Sequence, residues 1–104
     1  MIRHCVMLRL RAGVGLTTLV PVMDGLADIV DRLDGCSGFH AGPNRDYEQK
    51  SPGFSYGFTL DARDVAALAA YAEHPEHKIL GSRLVDFCQD GADGIVVYDL
   101  EVSP

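Results

Sequence analysis

Five side chains able to exchange protons or direct them stand out in the chain: His4, Tyr56, Tyr71, His74 and His77. The last three fall in one short run, Tyr71-Ala72-Glu73-His74-Pro75-Glu76-His77. An imidazole changes charge near neutral pH, so it can take or return a proton during a reaction. A phenol can donate a hydrogen bond to an oxygen on which charge develops. Together they suit proton removal beside a carbonyl and stabilisation of the enolate that results. Each also has a plain structural use. His4 on an apolar strand face can be a core histidine bonded to backbone, and His77 a solvent-facing residue of a helix's first turn. Tyr71 can be a packed aromatic with a wet hydroxyl. Tyr56 reads better as a pocket wall than as an acid, and His74 as the cap or turn residue before Pro75.

His4, His74 and His77, with Glu73 and Glu76 beside them, also make a metal set to weigh. A turn broken by proline controls ligand direction poorly, so no metal and no other cofactor is expected. The Asp90-Gly91-Ala92-Asp93 run is a turn rather than a calcium loop. The stretch Gly13-Val14-Gly15 lacks the further glycine and acidic residue of a nucleotide-binding fingerprint. Cys5, Cys36 and Cys88 have no zinc-type spacing and read as reduced thiols.

Composition narrows the partners. The 104 residues are 47% hydrophobic and carry a formal charge of −6, which argues against nucleic acid and anionic membranes as partners. Arg3, Arg9 and Arg11 cluster, but they alternate with apolar residues as on one side of a strand. No apolar run approaches the roughly 18–20 residues of a membrane helix, and residues 1–6 lack the core of a signal peptide. The expected location is the cytoplasm, and the expected organisation one domain over 1–104.

The elements that must position these residues follow from periodicity. Residues 2–11 alternate strictly, with Ile2, His4, Val6, Leu8 and Leu10 on one side and Arg3, Cys5, Met7, Arg9 and Arg11 on the other. Leu19, Met23, Leu26, Val30 and Leu33 repeat at helical spacing, with Thr17 or Thr18 as the expected cap and Pro21 in the tolerant first turn. A weaker strand is expected over 36–43, with Phe39 and Ala41 its apolar positions, then a polar loop to Gly53. Phe54, Tyr56, Phe58 and Leu60 predict another strand. Asp61 or Asp64 caps a helix carrying Val65, Leu68, Ala69 and Ala72, which His74-Pro75 interrupts. Ile79, Leu80, Leu84, Phe87 and Cys88 continue it, and 95–102 is a last strand.

This order is the split βαβ, ferredoxin-like α+β pattern: a four-stranded antiparallel sheet with helices on one face. The same order is expected to set strands one and three side by side and parallel, so that His4 and Tyr56 share one end of the sheet. The helix after strand three then returns Tyr71, His74 and His77 toward that end. Nothing in the chain is left to cover the face bearing Cys5, Met7, Gly57 and Thr59, so a homodimer through that face, opposite the helices, is expected.

The strand Ile2-Arg3-His4-Cys5-Val6-Met7-Leu8, the Tyr71-to-His77 run and the closing Gly94-Ile95-Val96-Val97-Tyr98-Asp99-Leu100 strand resemble the stress-responsive α/β-barrel domain (Dabb) family. The resemblance spans essentially the whole chain. It implies a ferredoxin-like fold paired through its sheets into a dimeric α/β barrel. Most members have no assigned activity, but the olivetolic acid cyclase type closes a poly-β-keto thioester by aldol condensation without metal or organic cofactor. By motif position the resemblance makes His77 the general base, Tyr71 its phenolic partner and His4 a pocket histidine. Tyr56 stands where that cyclase carries histidine.

Two functions compete. One is a cofactor-free cyclase, lyase or isomerase using His77, Tyr71 and His4 on a small apolar substrate held by Val6, Tyr56, Phe58, Leu80 and Leu84. It requires a cavity between sheet and helices. The other is a non-catalytic, stress-associated dimer that binds a small molecule or is purely structural. A haem- or quinol-directed monooxygenase ranks last, because the haem-degrading type commonly uses a tryptophan and this chain has none.

Overall fold

Alternation decides which side chains share a face, and strand pairing decides which of them meet. The computed structural model describes residues 1–103; Pro104, the last residue of the expected domain, lies outside the described residues. The elements follow in the expected order: β1 Ile2–Leu8, α1 Leu16–Arg32, β2 Cys36–Pro43, β3 Tyr56–Ala62, α2 Val65–Glu73, α3 Pro75–Phe87 and β4 Ile95–Glu101. The strands form one sheet in the order β2-β3-β1-β4, and every neighbouring pair is antiparallel. This is the ferredoxin-like α+β architecture.

The expected parallel pairing of strands one and three is wrong. β1 and β3 run antiparallel, with Leu8 opposite Tyr56 and His4 opposite Leu60. The crossover helix α1 joins β1 to β2, and those two are parallel; β3 is inserted between them and must run the other way. Tyr56 therefore sits four register positions from His4, about 13 Å along the sheet, and not at the same end.

Two local expectations also change. α1 begins at Leu16 with Gly15 as its cap residue, and no side chain bonds the cap. Pro21 consequently lies beyond the first turn, where its missing N–H removes a helical hydrogen bond. At α2, the carboxylate of Asp64 accepts from the Ala67 N–H at 2.8 Å. Asp61 is not a cap but a strand residue that pairs with Arg3 at 2.8 Å.

The core lies between the helices and one sheet face. α1 contributes Leu19, Val22, Met23, Leu26, Ile29 and Val30, all buried. They meet Val6, Leu8, Tyr56, Phe58 and Leu60 from the central strands, while Phe39 stacks on Phe58 with ring centres 5.5 Å apart. The helices stop short of the edge strand β4. Val97 faces the helix side yet is 51% exposed, and that uncovered strip leaves room for the hollow described next.

Candidate functional site

The β1–β4 register places His4 directly opposite Asp99. His4 Nδ1 stands 2.6 Å from Asp99 Oδ1. An ionised carboxylate can only accept, so this contact puts a proton on Nδ1, and in the neutral ring the lone pair is then on Nε2. Sequence reasoning passed over Asp99. The available signal was an acidic residue on the same strand side as Ile95 and Val97, the side that faces the helices.

The break at His74-Pro75 delivers the other rings. It ends α2 just after Tyr71 and starts α3 so that His77 falls in its first turn. The Tyr71 ring meets both imidazoles, with its centre 5.9 Å from that of His4 and 4.5 Å from that of His77. Tyr71 is 1% exposed, and its hydroxyl has no hydrogen-bond partner among the described residues. Burial holds its pKa well above the ordinary phenolic value, so the group stays protonated and is a donor rather than a base.

His77 Nδ1 lies 3.0 Å from the Ala72 carbonyl oxygen. A carbonyl only accepts, so Nδ1 is the protonated nitrogen and Nε2 is the basic one. Burial pushes the His77 pKa down; the Ala72 bond opposes this, and the neighbouring His4 and His74 add to it. A neutral imidazole with its lone pair free is the form a general base requires.

His4 and His77 open onto one hollow of about 200 Å³, walled by Val6, Phe58, Leu84, Ile95 and Val97. Gly81 of α3 also lines it, and nothing stands within 4 Å of where a Cβ there would lie. A larger recess of about 490 Å³, around Met1, Cys36, Asp61 and Arg63, holds no histidine and offers no such acid–base pair.

The structure brings together His4, Tyr71 and His77, with Val6, Phe58 and Leu84 as walls. It does not bring Tyr56 or Leu80 to the hollow. Tyr56 is a buried core residue at the far end of the sheet. Leu80 faces α1 instead, and a Cβ on Gly25 would come within 2.8 Å of its methyl group. His74 caps α3, its Nδ1 accepting from the Glu76 N–H at 3.1 Å.

The model of the stress responsive A/B barrel domain (Dabb) family matches residues 2–102. No curated protein matches the chain. Among solved structures, a dimeric ferredoxin-like protein of unknown function from Jannaschia sp. CCS1 is 44% identical, with a TM-score of 0.91 over 97% of this chain and 98% of that one. A Dabb family protein with a ferredoxin-like fold from Mesorhizobium loti is 20% identical, with a TM-score of 0.74 over 99% and 97%. The hydroxynitrile lyase of Passiflora edulis is 13% identical, with a TM-score of 0.79 over 98% and 93%. The likeness to these last two is one of fold alone.

Two measurements test the electrostatics. Because the folded-state pKa of His77 lies below its ordinary 6.5, the unfolded chain binds more protons there, and stability should fall as pH drops below about 6.5. NMR titration should find His77 half-protonated below that value; a midpoint above it would contradict the geometry. Replacing Tyr71 with Phe removes an unpartnered buried hydroxyl, so urea unfolding should show no loss, or a gain of up to about 1 kcal/mol. A loss of more than about 1 kcal/mol would mean the hydroxyl has a partner.

Proposed function

The chain belongs to the stress-responsive A/B barrel domain family, and we propose that it is a cofactor-free cyclase, lyase or isomerase acting on a small apolar, polyketide-like carbonyl compound. The observation that carries this reading is the pair of imidazoles, each bonded through Nδ1 so that Nε2 is free, opening on one apolar hollow. Fold likeness adds a precedent of another kind: a hydroxynitrile lyase is built on the same architecture, although fold alone does not assign chemistry.

His77 Nε2 takes a proton from a carbon flanked by carbonyls, and the resulting enolate carbon attacks a second carbonyl carbon. The new carbon–carbon bond leaves an alkoxide, which recovers that proton from His77, directly or relayed through Nε2 of His4. Asp99 orients His4 and stabilises its imidazolium when it forms. Tyr71 is the ring against which both imidazoles rest, and its contact with each fixes their positions at the hollow. Val6, Phe58 and Leu84 hold the apolar part of the substrate.

The size of the hollow favours the second reading, a small-molecule-binding dimer without turnover. Its roughly 200 Å³ falls below the ~300–1,000 Å³ of ordinary ligand pockets. A chemical assay separates the two. Wild-type protein should speed exchange of the activated protons of a long-chain β-diketone into deuterated water, followed by NMR. His77→Ala should lose about 10²-fold or more and Asp99→Asn about tenfold. Gly81→Leu should fold, since no atom stands within 4 Å of the new Cβ and the rest of the side chain has the hollow to enter, yet abolish exchange by filling it. Absence of any wild-type acceleration would remove the enzymatic reading and leave the binding one.

The chain is also proposed to act as a homodimer through the sheet face away from the helices. Support comes from the exposure of Val96, Tyr98 and Leu100 on that face, at 41%, 46% and 49%. Solved relatives described as dimeric add to it. Sedimentation equilibrium should give twice the chain mass, and Tyr98→Glu should reduce it to one; a monomeric wild type would refute the pairing.

A further inference from the structure

α1 and α3 each carry one glycine in mid-helix, where alanine would hold the helix better. Gly25 of α1 is explained by crowding, because a Cβ there would meet a Leu80 methyl group at 2.8 Å. Gly81 of α3 has no such reason. Its backbone is ordinary helix, which any residue adopts, and nothing stands within 4 Å of where its Cβ would lie.

The space left open at Gly81 is the hollow itself. His77, Gly81 and Leu84 recur at intervals of four and three, so they share one face of α3, and all three line the hollow. α3 runs the same way as β1. His77 near its start meets the Tyr71 ring that also meets His4, and Cys88 just past its end bridges to Leu10. From His77 to Gly81 the helix rises about 6 Å, and from His4 to Val6 the strand rises about 7 Å. Gly81 therefore roofs the row Phe58, Val6, Val97, one step in from the imidazoles. This is the helix side of the sheet, away from the face assigned to the second copy.

An apolar cavity of roughly 150 Å³ lined by Leu, Ile and Phe takes up benzene. The hollow, at about 200 Å³, is walled by Val, Phe, Leu and Ile. It has room for one six-membered ring and a small polar group at the imidazole end. We propose that Gly81 is the specificity-determining residue of the site, its missing side chain admitting a β-dicarbonyl compound that carries a single aromatic ring. The assignment rests on the acid–base reading for the dicarbonyl end, beside His4 and His77, and adds the body. The ring lies between Gly81 and the Val6–Val97 row, with Leu84 and Ile95 at the far end. A methyl group at position 81 would enter the space the ring occupies, and a second fused ring would exceed it. The helix gives up stability to keep this position bare, a trade suited to room that serves binding rather than folding.

The test uses the intact protein and three probes: acetylacetone with no ring, benzoylacetone with one and 2-naphthoylacetone with two. A ¹⁵N–¹H NMR titration gives affinities, and deuterium exchange at the carbon between the carbonyls gives rates. Wild type should bind benzoylacetone about tenfold or more tightly than either other probe, with shifts centred on Val6, Gly81 and Val97. Gly81→Ala should cut the ratio of benzoylacetone to acetylacetone affinity about fivefold or more. The same variant should raise the thermal midpoint by roughly 2–8 °C. No binding of benzoylacetone, an unchanged ratio, a lowered midpoint or equal binding of the two-ring probe would overturn the assignment. Ring selection through position 81 without accelerated exchange would uphold Gly81 and remove the acid–base reading. Accelerated exchange with a ratio indifferent to position 81 would do the reverse.

Discussion

The hydrogen-bond register between β1 and β4 is the constraint on which the candidate site depends. In that register His4 stands opposite Asp99, and the carboxylate settles which imidazole nitrogen carries the proton. A slip of one residue would turn every side chain of a strand to the other face. His4 would then leave the helix side, and the outer face would receive a buried-type strand pattern it cannot cover. The apolar alternation Val6, Leu8 against Phe58, Leu60 makes that slip costly, because it would expose core side chains on two central strands. Core packing and acid–base geometry are therefore enforced by the same pairing.

A second device completes the cluster. Proline at position 75 forbids a continuous helix, so the chain ends one helix, turns at His74 and begins another within a few residues. A straight helix would carry His77 onward past the sheet. The break folds it back against Tyr71, where the Ala72 carbonyl, freed at the end of α2, accepts its Nδ1 proton. The residue that looks most chemical in the motif after His77, His74, spends its ring nitrogen on capping the new helix.

Much of this was legible in the sequence because it rests on local patterns. Strict alternation through residues 2–11 and helical spacing from Leu19 to Val30 identify elements and faces without knowledge of the rest of the chain. Proline's geometry likewise makes the interruption at 74–75 readable. What escaped depends on contacts far apart in sequence. The direction of β3 relative to β1 decides the end at which Tyr56 lies, and no local pattern around Tyr56 encodes it. Asp99 acquires meaning only from a residue 95 positions away. Leu80 shows the same limit on a helix: its spacing marks it as inward-facing, but inward there means toward Gly25 of α1 and not toward the sheet hollow.

β4 serves both faces of the sheet, and it does so with alternate residues. Ile95, Val97 and Asp99 face the imidazole side, while Val96, Tyr98 and Leu100 face the outer side of the sheet. Odd and even positions of this one strand are thus separate dials. Exchange at 95 or 97 can reshape the recess and leave the composition of the outer face untouched. The backbone twist they share is the one property that drift on either set would carry across to both. A short edge strand in this arrangement lets a recess and a contact face diversify at their own pace within a single small fold.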